Sequence, residues 1–163
     1  MLEVTLGGSI VVDVFSTEVR SKIMRAIRSK DTRPELLIRK ALHARGLRFR
    51  LHVKTLPGNP DIVLPRYKAV ILVNGCFWHG HHCHLSSTPK TRQEFWLGKI
   101  SNNMNRDYQV HERLLDSGWR LAVVWECAIK GRQRMALEDC IDQLVAWIKD
   151  PRALGIELAG LPA

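Results

Sequence analysis

Residues 56–73 read Leu56-Pro57-Gly58-Asn59-Pro60-Asp61-Ile62-Val63-Leu64-Pro65-Arg66-Tyr67-Lys68-Ala69-Val70-Ile71-Leu72-Val73. Turn formers hand the chain at Asp61 to three apolar residues; Pro65, Arg66 and Tyr67 turn it again, and a nearly continuous β-branched run follows. Apolar runs without alternation are what strands buried on both faces require. The stretch therefore predicts a hairpin inside a covered sheet, with Asp61 at the start of one strand brought near Val73 at the end of the other.

Working outward, residues 119–125 form another buried strand (Trp119-Arg-Leu-Ala-Val-Val-Trp125), and Leu47, Phe49, Leu51 and Val53 alternate with Arg48, Arg50 and His52 as a strand does. A helix is predicted over 17–29, capped at Ser16 or Thr17, with Val19, Ile23 and Ile27 on one stripe and Met24 just off it. A second should start at Pro34 and stop at Gly46, with Leu36, Leu37, Leu42 and Ile38 on its apolar face. A long helix is predicted from about Thr91 to Leu115, where Leu97, Ile100, Met104, Tyr108, His111 and Leu115 recur every three or four residues. Leu137, Ile141, Leu144 and Ile148 mark a last amphipathic helix, and the tail from Asp150 shows no period. Alternating helices and strands give an α/β fold: one domain over 16–150, an extension of unknown role at 1–15 and a C-terminal tail at 151–163.

The 163 residues carry 25 Lys plus Arg against 16 Asp plus Glu, a formal charge of +9. Twelve of those cations lie between Arg20 and Lys54 with only Asp31 and Glu35 among them, a field that suits a polyanion such as a phosphate backbone. The bland alternative is a pair of solvated helix faces. No apolar run reaches the ~20 residues of a membrane span, and the N-terminal stretch, with Glu3 and Asp13 and no cationic start, does not read as a secretory leader. A chain of this length buries roughly two-thirds of its unfolded surface, so it needs no metal merely to hold a core.

Metal ligands are nevertheless concentrated. Cys76-Phe77-Trp78-His79-Gly80-His81-His82-Cys83-His84 packs six Cys and His into nine residues, and Cys127 leaves a different strand downstream. Cys76, Cys83 and Cys127 offer three thiolates and His81 a reasonable fourth ligand, a closed tetrahedral set of the kind that holds structural Zn²⁺. The rival is three buried free cysteines and some loop histidines. Cys140 sits on the apolar stripe of the last helix as a small core residue. His79 is left over as a base for a water, and Asp61, across the hairpin, offers the hard oxygen that Mg²⁺ prefers. One metal-held phosphate and one base suffice to hydrolyse a phosphodiester. Two adjacent rings, Phe77 and Trp78, cannot both face inward from such a loop, and Trp96 is equally hard to assign to a core; apolar wedges of this kind unstack base steps in deformed duplexes. Trp119, Trp125 and Trp147 read as core.

Taken together, Arg20-Ser-Lys-Ile-Met24-Arg-Ala-Ile27, Leu56-Pro-Gly-Asn-Pro-Asp61, Gly75-Cys-Phe-Trp-His-Gly-His-His-Cys83, Thr91-Arg-Gln-Glu-Phe-Trp96 and Val124-Trp-Glu-Cys127 resemble the very-short-patch repair (Vsr) endonucleases over about residues 17–133. The resemblance implies a restriction-endonuclease-like core, a mixed sheet flanked by helices, and nicking of DNA beside the thymine of a T:G mismatch. It places the Mg²⁺-binding aspartate at Asp61, the water-activating histidine at His79 and an acid supporting the metal's water shell at Glu35. Zinc ligands fall at Cys76, His81, Cys83 and Cys127, and duplex wedges at Met24, Phe77, Trp78 and Trp96. Where the family pattern has Thr-His before Gly-Cys, this chain has Val73-Asn74: a metal contact through the Val73 backbone carbonyl survives that change, whereas the side chain of the histidine is lost.

The expectation is therefore a Mg²⁺-dependent, strand-specific DNA endonuclease with a structural zinc. It would act as a monomer in the bacterial cytosol or nucleoid on double-stranded DNA containing a T:G mismatch, with other repair proteins as further partners. Its rivals are a zinc-stabilised DNA-binding protein that does not cut, and a related nuclease with a different target.

Overall fold

The computed structural model of the chain describes residues 30–87 and 89–161. The helix predicted over 17–29, with Met24, lies outside the described residues. Helix α1 (Arg33–Ala44) leads into β1 (Arg50–Leu51), β2 (Ile62–Leu64) and, after a 3-10 turn at Pro65–Tyr67, β3 (Ala69–Asn74). Then come α2 (Gln93–Asp116), β4 (Arg120–Trp125), the short α3 (Glu126–Ile129), α4 (Leu137–Lys149) and β5 (Gly155–Leu158). The strands form one mixed sheet in the order β1-β2-β3-β4-β5. β1, β2 and β3 pair antiparallel, whereas β4 and β5 continue parallel to β3 through helical crossovers.

The alternation of each strand divides the core between two faces. Ile62, Leu64, Ala69, Ile71, Ala122 and Val124 point to one side, where Ile38 and Leu42 of α1 and Ile141, Leu144 and Ile148 of α4 cover them. Val63, Val70, Leu121 and Val123 point to the other, against Leu114 of α2. The predicted hairpin forms with Ile62 opposite Ile71 and Leu64 opposite Ala69, and Cys140 and Trp147 lie in the core. Trp119 and Trp125, expected there, are only half-buried.

Four expectations need correction. The alternating strand expected over residues 47–53 pairs only at Arg50–Leu51. On α1, Leu36 is 50% exposed and the inward positions are Glu35, Ile38, Arg39 and Leu42. On α2 the predicted stripe is rotated outward: Leu97, Met104, Tyr108 and Leu115 are exposed, and the inner row is Trp96, Ile100, Asn103, Asp107, Val110 and Leu114. Glu35 of α1 and Asn103 and Asp107 of α2 hold their inward positions on the lining of a cavity described below. Finally, the aperiodic tail supplies β5, which pairs with β4 from Gly155 opposite Leu121 to Leu158 opposite Val124. Four residues at a sheet edge, with a single residue fully buried, are too few to show a period of two.

One buried charge anchors that end of the sheet. Arg120, 7% exposed, donates to the carbonyls of Tyr67, Trp147, Ile148, Asp150 and Ala153. Several of these are the last carbonyls of α4, where a helix leaves acceptors unpaired and carries partial negative charge.

Candidate active site and metal centre

The mouth of the hairpin is closed by a side chain. Asp61 Oδ2 accepts the Val73 N–H at 2.8 Å, while Oδ1 lies 3.9 Å from His52 Nδ1. Burial pushes the Asp61 carboxyl up to about 6; the Val73 N–H works against that rise, and the neighbouring Glu35 charge adds to it. A carboxylate held in this way is costly to ionise alone and gains most from a cation supplied from outside.

Opposite it, the loop after β3 carries His79. Its Nδ1 meets Asp107 Oδ2 of α2 at 2.5 Å. Donation of Nδ1–H to that carboxylate leaves Nε2 with its lone pair, the state a base must be in. Asn103 of the same helix donates to the Trp78 carbonyl at 2.9 Å, so two side chains one turn apart hold the loop at α2. Gly80 lets it approach that closely: it adopts φ +66, and a Cβ there would stand 2.5 Å from Met104 Sδ.

These groups open on a shared cavity of about 620 Å³, whose walls include Glu35, Asp61, Val73, Asn74, Trp78, His79, Lys99, Arg106 and Asp107. The structure thus brings together Asp61, Val73, His79, Trp78 and Glu35 from the residues singled out in the sequence. It adds Asn103 and Asp107, which periodicity does not find because they occupy the inner row of a helix whose apolar residues suggest a different face, and the exposed Lys99 and Arg106, which also line the cavity. Lys99 Nζ stands 5.5 Å from the Trp78 ring centroid, and Asn74, 7% exposed, is part of the wall. Glu35, 2% exposed, is already engaged. It closes a capping box with Thr32, and its two oxygens accept from the Asp31 and Thr32 amides, the Thr32 hydroxyl and Arg39. Those four donors match the acceptor capacity of a carboxylate.

The second cluster lies behind the loop. Ligand atoms of Cys76, His81, Cys83 and Cys127 all fall within 4.8 Å of one another and could hold a metal ion. Each sulfur also receives a backbone N–H: Cys127 N to Cys76 Sγ at 3.3 Å, Leu85 N to Cys83 Sγ at 3.4 Å and Gly160 N to Cys127 Sγ at 3.2 Å. Such outer donors orient thiolates and offset their charge. In the metal-free protein burial pushes the Cys76 and Cys127 thiols up and holds the His81 imidazole toward its neutral form. His81 stacks on Trp125, with ring centroids 4.4 Å apart, and the Trp125 indole donates to Glu157 of β5 at 2.5 Å.

A family model described as DNA mismatch endonuclease Vsr matches residues 12–85. The DNA mismatch endonuclease Vsr of Escherichia coli is 46% identical over 138 residues, covering 85% of this chain and 88% of the relative. The chain belongs to the Vsr family. A type II nicking enzyme of Xanthomonas oryzae is 49% identical over 73% of this chain and 88% of its own length. Another, from Neisseria meningitidis serogroup A, is 42% identical over 86% and 99% respectively.

In this Vsr chain the aromatic residues cluster. Phe77, Trp78 and Trp96 meet edge to face at centroid distances of 5.1, 5.6 and 6.0 Å. Trp96 is 8% exposed and backs the other two, which are half-buried. Phe95, unremarked in the sequence, is 49% exposed and stacks under the Arg92 guanidinium. The basic stretch is less uniformly available than its count suggests: Arg39 is taken up by Asp31 and Glu35, and Arg45 by Glu138 and Asp142. Among the described residues no helix is long and apolar enough to cross a membrane.

Proposed function

We propose that the chain is a Mg²⁺-dependent endonuclease that nicks one strand of double-stranded DNA beside the thymine of a T:G mismatch. One observation carries the reading: the Asp61 carboxylate and the His79–Asp107 pair line a single cavity. The relatives are themselves named as a mismatch endonuclease and as nicking enzymes.

Asp61 and the Val73 backbone carbonyl would offer Mg²⁺ the oxygen donors it prefers, and the raised pKa of Asp61 is what a site waiting for a cation should show. Bound there, Mg²⁺ supplies charge neutralisation on the phosphate. The protein's own residues do the rest. Asp107 fixes the tautomer of His79, so Nε2 is free to take a proton from the attacking water, a contribution of about 10²–10⁴ in rate. Arg106 and Lys99 bring positive charge to the cavity wall that a phosphate backbone requires. Glu35 supports the site by holding the start of α1 in place.

Cys76, His81, Cys83 and Cys127 are read as a structural Zn²⁺ site, because three sulfurs and one imidazole fill a tetrahedron and leave no position for water. It pins the loop that carries His79, Phe77 and Trp78. Those rings, with Trp96 and Met24, are read as the wedge that unstacks the duplex; a wobble pair costs less to open than a matched one, so wedging discriminates before the chemical step. The chain would work as a monomer in the bacterial cytosol.

The test is nicking of a T:G duplex in Mg²⁺ by wild type, Asp61→Ala and His79→Ala. Each variant should lose at least about 10²-fold. Undiminished nicking by either removes that residue's role, and wild-type binding of the mismatch without cleavage would turn the reading to a DNA-binding protein.

A further inference from the structure

Beside Asp61, and outside the zinc cluster, Asp31, Glu35 and His52 form a second group with ligand atoms within 4.8 Å of one another. Two carboxylates and an imidazole are donors a divalent cation would accept. A cation is already among them. Arg39, one turn beyond Glu35 on α1 and 7% exposed, donates through one Nη to Asp31 and through the other to Glu35 at 2.6 Å. The second Nη also lies 2.9 Å from His52 Nε2.

A guanidinium has no acceptor, so His52 Nε2 must accept, and the ring's proton then sits on Nδ1. That atom is the one 3.9 Å from Asp61 Oδ1. Asp31 and His52 both adopt left-handed backbone conformations, φ 55 and 46. Residues with a Cβ adopt that region at a cost, and the guanidinium contacts help to offset it. Arg39 cannot serve a phosphate backbone from this position.

We propose that Arg39 is a built-in cation standing where a second divalent ion would otherwise bind, leaving Asp61 as the carboxylate open to Mg²⁺. This rests on the reading of Asp61 given above. An arginine is permanently charged and planar, and engages several acceptors at once. It neutralises the Asp31–Glu35 pair without having to be recruited from solution, and it holds His52 against Asp61.

The test counts Mn²⁺ bound per zinc-loaded chain, by electron paramagnetic resonance titration, in wild type and five variants. Arg39→Ala should hold about one ion more than wild type, Arg39→Lys should keep the wild-type count because the charge remains, and Arg39→Ala/Asp31→Asn should return to it. Mn²⁺ should also raise the melting temperature of Arg39→Ala by more than it raises that of wild type, a response that a purely structural arginine would not produce. Equal counts in Arg39→Ala and wild type overturn the proposal, as does an extra ion in Arg39→Lys. Arg39→Gln, which is shorter but keeps an N–H donor group without charge, carries the same comparison if the alanine variant does not fold. The Asp61 reading fails separately, if Asp61→Asn retains the full wild-type count, because the Arg39 inference turns only on the difference its own variants make.

Discussion

Replacing Asp61 by Asn should make the metal-free protein more stable while abolishing its activity. The ordinary carboxyl value of 3.8 rises to about 6 at this position, chiefly through burial. Each tenfold change in a proton equilibrium is worth about 1.4 kcal/mol, so keeping Asp61 ionised at neutral pH costs the fold roughly 3 kcal/mol. Below pH 3.8 the group is protonated in both folded and unfolded chains, and no penalty arises. As pH rises from about 4 to about 6 the unfolded chain ionises freely and the folded one resists, so stability is lost across that window and the loss is complete above it. Asparagine keeps an oxygen for the Val73 N–H and carries no charge, so it removes the penalty.

Urea unfolding without metal should therefore show Asp61→Asn ahead by about 1–3 kcal/mol at pH 7.5, or roughly 2–10 °C in melting temperature for a chain of this size. The gap should close toward pH 4. Saturating Mg²⁺ should recover stability for wild type alone, because it binds the folded state through the charge that the variant lacks. A gap that is the same at pH 4.5 and 7.5, or a variant less stable than wild type at neutral pH, would refute the account of Asp61 as a cation site held at a cost to folding.

Three further outcomes follow from the geometry. Asp107→Asn should lower kcat by about 10²-fold or more with little change in mismatch affinity, since His79 would lose the partner that sets its tautomer; single-turnover nicking and gel-shift binding separate the two effects, and an unchanged kcat would remove Asp107 from the site. Cys127→Ser should release most of the zinc found by metal analysis and open residues 75–85 to limited proteolysis, whereas full zinc occupancy would argue against the four ligands chosen. Arg120→Met should cost about 3 kcal/mol or more in urea unfolding, because it strands the carbonyls of Tyr67, Trp147, Ile148, Asp150 and Ala153; a loss under 1 kcal/mol would show that water satisfies them.

The hairpin and the Cys/His cluster that could hold a metal ion are legible in the sequence because each depends on a local signal. Turn formers around two short apolar runs leave few other arrangements, and three cysteines with an interposed histidine have few other uses. The faces of α1 and α2 are not legible in the same way, and both errors share one cause. Periodicity assigns the apolar side of a helix to the core, but on α1 the inward row includes Glu35 and Arg39, and on α2 it includes Asn103 and Asp107. In both cases the misplaced polar residues are four apart, one turn on one face, and they displace Leu36 on α1 and Leu97, Met104 and Tyr108 on α2 toward solvent. A fold that exposes good core residues in order to bury polar ones gives up hydrophobic stabilisation, and such exceptions to the hydrophobic pattern are expected at functional sites. The two rotated helices bring those groups to one cavity: Glu35 of α1 lines it, with Arg39 bonded to Glu35, and Asn103 and Asp107 of α2 line it beside His79. The mismatch between hydrophobic pattern and observed burial thus points to the face of each helix that turns toward the proposed site, including Arg39 and Asp107, which no motif in the sequence singles out.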